Sequence, residues 1–303
     1  MSKFSASDAA FAGFQLVREN LKTVAIWCAL MMVVSMASEV LSIKFYGPQL
    51  EAFQAFFVDN SNPDPEELAK VMAGVAPLFL WLLPYSLLVN GIIFAALNRL
   101  VLRRDASRTV FLGLGKDELR QVAVWLLLNL TIMGVLCAGA LVGGILGGLG
   151  GAAGALLAFL TLLASICGAI YLAVRLSLAS AVTFDTGRVT LFRTLPLTKG
   201  LFWPLVGTYF LAVVMSVIVI LLLWVIVSAV ALIVTGDFSG AGRMLRAENG
   251  TLEAYFTPLG IVQAFFGAVV SVVWATIIFT PAPTIYQILK SGGATPMAGS
   301  AIQ

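Results

Sequence analysis

The sequence predicts an all-α, polytopic integral membrane protein with six transmembrane helices arranged as three hairpins. Its 303 residues are 60% apolar and only 11% charged, whereas a soluble domain carries about 25% charged residues. From Gln121 to Val174 there is no Asp, Glu, Lys or Arg, and about 20 apolar residues are enough for one membrane-crossing helix. These segments are apolar all round, which excludes the alternating strands of a membrane β-barrel.

Six apolar stretches are long enough to cross a bilayer. They cover residues 23–43, 71–98, 122–148, 152–178, 201–234 and 258–288. All but four of the 18 basic residues fall on the side that this topology gives to both termini. The exceptions are Lys44, Lys70, Arg243 and Arg246. Because loops rich in Lys and Arg stay in the cytoplasm, both termini are expected to be cytoplasmic.

A basic residue followed by a tryptophan recurs at the start of spans one, three and five. The three segments read "NLKTVAIWCAL" (20–30), "ELRQVAVWLLL" (118–128) and "LTKGLFWPLVG" (197–207). They predict a pseudo-threefold repeat inside a single membrane domain (1–303), each unit being a cytoplasmic elbow and a transmembrane hairpin. The predicted units are 4–104, 105–187 and 188–290, and 291–303 is expected to be a flexible cytoplasmic tail. Tryptophan and basic residues also concentrate at membrane interfaces without any repeat, so that alternative stays open.

Amphipathic segments flank the first span. Before it, Phe11, Phe14 and Val17 share a helical face, which predicts an elbow helix along the inner leaflet. Weaker elbows are expected at 106–118 and 189–199. After the span, "QLEAFQAFFVDN" (49–60) has its aromatic residues at helical spacing. This predicts either a short helix in the outer interface or a loop packed on the bundle.

Polar residues inside the spans are few and scattered. They are Asn90, Asn98, Asn129, Thr131, Thr208 and Tyr209. Their scatter favours interhelical hydrogen bonds over a conduction path, although polar groups at membrane depth often mark function. Glu39 lies about 24 Å into span one at helical rise and is expected to reach the outer interface.

The chain after span four holds the densest polar chemistry. Arg175 has an apolar turn on each side, and the next charged residue is Asp185. One interpretation is an Arg175–Asp185 pair that ties span four to the following elbow. The alternative is a site for an anion or a phospholipid headgroup, with Arg175, Asp185, Arg188, Arg193 and Lys199 as its candidate residues.

Residues 143–154, "GGILGGLGGAAG", contain a stretch that fits a dinucleotide-binding fingerprint. Its position between two spans and the absence of an acidic residue about 20 positions later exclude that interpretation. The glycines recur at helical spacing instead, which favours close helix packing over a pore lining. The packing candidates are Gly139, Gly143, Gly147, Gly151 and Gly154, and a turn is expected at Gly150 and Gly151. The partner is left open: span four, another hairpin or a second copy of the chain.

Catalytic and metal-binding patterns are missing from the sequence. It has no histidine, no paired acids at membrane depth and no complete phosphate-binding loop. Cys28, Cys137 and Cys167 lie in apolar runs and form no CxxC, so we expect them to be packing residues. The expectation is a protein that is not an enzyme, with no cofactor, no metal and no nucleic-acid partner.

The segment "YLAVRLSLASAVTFDTG…LFRTLPLTKGLFWPLVGTYFL" resembles a group of bacterial membrane proteins. They are related to the membrane domain fused to some glycerophosphoryl diester phosphodiesterases. The shared features are "RLSLA" (Arg175 to Ala179), Gly187, and the "LTKGLFW" segment (Leu197 to Trp203). The resemblance implies a protein of the bacterial inner membrane. It does not imply phosphodiesterase activity, because in the fused proteins catalysis belongs to a separate soluble domain.

Two functions remain in competition. The first is a non-catalytic protein that organises lipids or serves as a scaffold for a partner. The second is a transporter or channel for a lipid or a small amphiphilic or anionic solute. The expected partners are membrane lipids and either a membrane protein or a second copy of the chain.

Overall fold

The computed structural model describes residues 4–59, 64–103, 111–113, 115–236 and 251–292, and these are helical with no strand among them. Six of the described helical segments are long and apolar enough to cross a membrane. The all-α fold with six spanning helices is therefore confirmed. The helices are α1 (Ala6–Glu19), α2 (Leu21–Asp59), α3 (Pro65–Leu102), α4 (Lys116–Gly147), α5 (Gly151–Leu176), α6 (Ala179–Thr186), α7 (Thr194–Leu197), α8 (Phe202–Thr235), α9 (Leu252–Tyr255), α10 (Pro258–Phe279) and α11 (Pro281–Lys290).

The first elbow is the helix α1, and Ser5 caps it by accepting a hydrogen bond from the Asp8 backbone N–H at 3.4 Å. The face that it buries in the protein carries small residues, including Ala9 and Gly13. Phe11, on the predicted apolar face, is left exposed. The predicted elbow at 106–118 falls partly outside the described residues, as does almost all of the predicted tail at 291–303.

The aromatic segment after span one does not form a separate helix or a loop. It continues α2, which runs without a break to Asp59 and contains Pro48. Proline removes one hydrogen bond from a helix interior. Residues 49–59 contain no glycine and no further proline, so the other hydrogen bonds of the helix are kept. The polar residues of this segment predict that the first helix ends before them. The helix instead continues, with Gln49 and Glu51 on its exposed surface.

The last span is interrupted where the prolines predict a bend. The helix α10 ends at Phe279 and α11 begins at Pro281. Pro281 and Pro283 have no backbone N–H to donate to the preceding turn, so helical hydrogen bonds are lost here although Thr280 keeps helical φ and ψ of −61° and −34°. The sixth candidate span still runs from Gly260 to Lys290 and so includes α11.

The described residues fall into two compact units. The first comprises those in Met1–Leu16, Leu87–Val213 and Ile277–Gln303, and the second those in Val17–Ser86 and Val214–Thr276. These bounds differ from those of the predicted repeat units, and the threefold repeat stays a prediction. In the second unit, α9 packs against α2. There burial raises the pKa of the Tyr255 phenol, and the charge on Glu39 acts in the same direction.

In the first unit, α4 and α5 form a hairpin whose helices approach through glycine. A Cβ added at Gly139 would lie 1.7 Å from Ser165 Oγ, and one at Gly143 would lie 3.3 Å from the Ala158 carbonyl oxygen. At Gly154 it would lie 3.0 Å from the carbonyl oxygen of Leu146. Gly139 and Gly143 of span three thus meet span four, and Gly154 of span four meets the end of span three. Of the partners left open by the sequence, the contact is therefore the one within this hairpin.

Two of the five candidate glycines differ from this pattern. A Cβ at Gly147 would be in ordinary contact with Ala158, at 3.4 Å. At Gly151 it would meet no atom within 4 Å, so this residue does not pack against a helix. Gly150 and Gly151 have φ values of 77° and 67°, which only glycine adopts readily. They form the tight turn of the hairpin.

Candidate functional site

Arg175 sits in the last turn of α5 and is bound by protein groups. Its Nε donates to Thr198 Oγ1 at 2.8 Å, and its Nη1 donates to the Tyr171 hydroxyl at 2.7 Å. Its Nη2 donates to the carbonyl oxygen of Leu195. The guanidinium therefore fastens the end of α5 to α7 and the residue after it.

Asp185 does not pair with Arg175, and the predicted ion pair between them was wrong. Its two carboxylate oxygens lie 2.9 and 2.8 Å from Lys290 Nζ. The Tyr286 hydroxyl donates to the same carboxylate at 2.8 Å. The chain turns between α5 and α6, which carries Asp185 toward α11. Asp185 ties α6 to α11.

The remaining candidate cations lie in residues 187–203, which we call the basic elbow. Arg188, Arg193 and Lys199 are exposed, and no described residue pairs with their side chains. Large apolar side chains are exposed between them. These are Val189 (41%), Phe192 (60%), Leu197 (42%) and Trp203 (77%). The outer surface of the elbow thus alternates cationic and apolar groups.

The inner side of the basic elbow is held by buried residues. Leu191 and Leu201 are buried, and Thr194 and Thr198 have no exposed surface. Thr198 Oγ1 donates to the Thr194 carbonyl at 2.9 Å and lies 3.1 Å from the Arg175 carbonyl. The elbow begins at Gly187, whose φ of 63° ends α6 in the left-handed conformation. Its outward side chains are therefore displayed on an ordered backbone.

A second charged cluster, which sequence analysis missed, joins α3 to α4. Arg99 Nη1 lies 2.6 Å from Glu118 Oε1, and both residues are more than nine-tenths buried. Asp117 is shared by Arg120 at 3.0 Å and by Arg103 at 3.7 Å. These five residues neutralise one another in large part. We interpret the cluster as a structural tie, because a buried charge is stable only when paired.

A buried chain of hydrogen bonds lies beside that cluster. Asn98 Nδ2 donates to Ser180 Oγ at 2.8 Å, and Ser180 Oγ donates to Gln121 Oε1 at 2.7 Å. Gln121 Nε2 also donates to the Ser180 carbonyl at 3.1 Å. Asn98 and Gln121 are almost fully buried. The chain connects α3, α6 and α4, and only Asn98 was singled out from the sequence.

Other polar residues of the spans are used inside their own helices. Asn129, Thr131 and Thr208 each donate to the carbonyl oxygen four residues earlier. The predicted interhelical bonds are therefore wrong for these three residues and right for Asn98. Such local bonding satisfies a side chain without any partner helix.

Comparisons with family models, curated proteins and solved structures found no match to this chain. The resemblance to the membrane domain of glycerophosphoryl diester phosphodiesterases stays a prediction. Among the described residues, no three acidic or cysteine side chains converge as metal ligands would. The class that the fold defines is a multi-pass membrane protein with six spanning helices.

Proposed function

We propose that this chain is a non-catalytic membrane protein that binds anionic phospholipid headgroups through its basic elbow and so organises lipids around itself. The observation that carries the proposal is that Arg188, Arg193 and Lys199 are exposed and form no ion pair with any residue that the structure describes. Arg175 and Asp185 form hydrogen bonds to other protein groups, so we assign them a structural role beside this site and not headgroup binding.

The apolar side chains of the elbow support a membrane surface as the binding partner. Phe192 is 60% exposed and Trp203 is 77% exposed, and aromatic rings are favoured at the headgroup level. Lys and Arg side chains can place their charges among headgroups while their stems lie along apolar groups. An elbow with both features is typical of an interfacial segment.

The expected strength of the interaction follows from the charge count. Each Lys or Arg close to an anionic membrane surface contributes about 1 kcal/mol. Three such residues give about 3 kcal/mol, which is roughly a 100-fold preference for an anionic over a neutral headgroup. Salt should weaken the preference strongly, since these charges are exposed.

The orientation that this function requires has the elbow at the cytoplasmic leaflet of a bacterial inner membrane, with both termini in the cytoplasm. The distribution of Lys and Arg supports it. A cysteine placed at Lys199 should react with a membrane-impermeant maleimide only after cells are opened, whereas one at Lys44 should react in intact cells. The reverse labelling would contradict this orientation.

Native mass spectrometry of the full chain tests the lipid proposal. The protein, released from bilayers of equal phosphatidylglycerol and phosphatidylcholine, should retain mainly phosphatidylglycerol. The double variant R188Q/R193Q should lose most of that preference. The control K44Q/K70Q removes two cations predicted to lie on the opposite side and should behave like the unchanged protein. Equal losses in both doubles would show that the preference is a general charge effect, and the proposal would fail.

A further inference from the structure

We infer that a cavity in the first compact unit binds one neutral single-chain lipid, with the hydroxyl end of the lipid held by Asn98, Ser177 and Tyr209. The cavity has a volume of about 340 Å³ and is partly open at the protein surface. It is enclosed by α3, α4, α5, α6, α8, the end of α10 and the first turn of α11. This site is separate from the basic elbow and does not depend on the headgroup proposal.

Three buried oxygen atoms on the wall of this cavity point to a ligand. Asn98 Oδ1, Ser177 Oγ and Tyr209 OH have no hydrogen-bond partner within the described part of the chain. The hydroxyls of Ser177 and Tyr209 are near neighbours and interact weakly, in a geometry too poor to satisfy both. A buried polar group without a partner is destabilising by about 1–3 kcal/mol. Three such polar atoms on the wall of one apolar cavity are expected where a bound ligand supplies the missing hydrogen bonds.

The chemistry of these atoms selects the polar end of the ligand. Both N–H donors of Asn98 are already used, by the Phe94 carbonyl and by Ser180, so its Oδ1 is left as an acceptor only. The ligand must therefore offer a donor to Asn98. The two hydroxyls can donate or accept. None of the described residues that line the cavity is charged, which disfavours a phosphate or a carboxylate. A neutral hydroxyl group meets all of these requirements.

The shape of the cavity indicates the size of the apolar part of the ligand. Its polar end is level with Gln121, because Asn98 and Gln121 both bind Ser180. The wall continues along α4 through Leu128 to Ile132, which lies about 16 Å beyond Gln121 at the helical rise. A group of water size takes about 30 Å³, so the cavity holds roughly ten non-hydrogen atoms. This corresponds to a hydroxyl and an alkyl chain of eight to ten carbons, with any longer tail leaving through the opening.

The experiment uses the full chain in one detergent and a photoreactive decanol that carries a diazirine near the end of its chain. Labelling should concentrate on cavity-lining residues of α4 and α5. Unlabelled decanol should compete for labelling, while decane, which has no donor, should compete at least several-fold less well. Labelling that is spread along the outer helix surfaces, or equal competition by decane, would overturn the inference.

Three variants test the cavity itself. Tyr209→Phe and Ser177→Ala each remove one unpartnered hydroxyl and should each weaken decanol competition about 2- to 10-fold. Their folding should be preserved, because only the weak contact between these two hydroxyls is lost. Ala173→Leu places a larger side chain on the cavity wall and should abolish labelling there. If this variant does not fold, Ile132→Trp replaces it. Labelling that is unchanged in the filled cavity, or occupation of the site by water only in a high-resolution structure with decanol, would refute the inference.

Discussion

Gly139→Ala should destabilise the α4–α5 hairpin, because the new methyl group has no room. Its carbon would lie 1.7 Å from Ser165 Oγ and 2.4 Å from Ser165 Cβ. Rotating the serine hydroxyl relieves only the first contact, so the two helices must separate. Overpacking of this kind costs about 1–3 kcal/mol. Alanine recovers about 0.5–1 kcal/mol of helix propensity, and a net loss of about 0.5–2 kcal/mol is expected.

Matched variants separate the contact from helix propensity. Gly134 and Gly144 lie on the same helix, and a Cβ at either would meet nothing within 4 Å. Gly134→Ala and Gly144→Ala should therefore be neutral or stabilising. Ser165→Gly makes room for the methyl group, so the double variant G139A/S165G should regain most of the stability. The expected coupling between the two sites is about 1–3 kcal/mol.

The assay is reversible unfolding of the purified protein in mixed micelles with increasing SDS. The free energy of unfolding should rank G144A above G139A, with G139A/S165G above G139A. If G139A were as stable as G144A, or if S165G failed to rescue it, the close approach of α4 and α5 through this glycine would be refuted.

Substitutions at three further residues of the first compact unit probe its side-chain ties, with the same unfolding assay as the measurement. Arg175→Ala should lower the free energy of unfolding by about 2–4 kcal/mol, because it leaves the acceptors at Thr198 and Leu195 without a donor. Arg175→Lys should recover little of this stability, since lysine lacks the planar fork of hydrogen-bond donors. Full stability in R175A would contradict this role of Arg175. Asp185→Asn should cost at most about 1 kcal/mol, because its partner Lys290 is 61% exposed, and a much larger loss would disprove a surface tie. Glu118→Gln leaves Arg99 buried with weaker compensation and should cost about 3–5 kcal/mol, so a neutral result would refute the structural role of that cluster.

The spanning helices could be predicted because membrane solvation leaves a strong signal in composition. The charge-free run from Gln121 to Val174 corresponds to α4 and α5, and the glycines at its centre predicted the turn between them. Helix ends were harder. The polar segment after span one looked like a boundary, yet α2 continues through Pro48 to Asp59.

The candidate site was only partly predictable, because side-chain partners depend on distant parts of the chain. Sequence reasoning paired Arg175 with the nearest acid, whereas its partners lie up to 23 residues away and include a backbone carbonyl. The partner of Asp185 is Lys290, 105 residues later. Nothing local in the sequence distinguishes Gln121 and Ser180 from other polar residues. The cations Arg188, Arg193 and Lys199 stand out in the sequence because density of charge beside a span is a local property, and their role in binding a headgroup stays a prediction.

Lipid selectivity in a bilayer tests the central proposal most directly. Electron paramagnetic resonance of spin-labelled lipids reports the fraction held at the protein surface, and it can be compared for phosphatidylglycerol and phosphatidylcholine. We predict a strong preference for phosphatidylglycerol that falls with salt. The variant R188Q/R193Q/K199Q should reduce it by at least tenfold, and K44Q/K70Q should not. A preference that is unchanged in the elbow variant would contradict headgroup binding by the basic elbow.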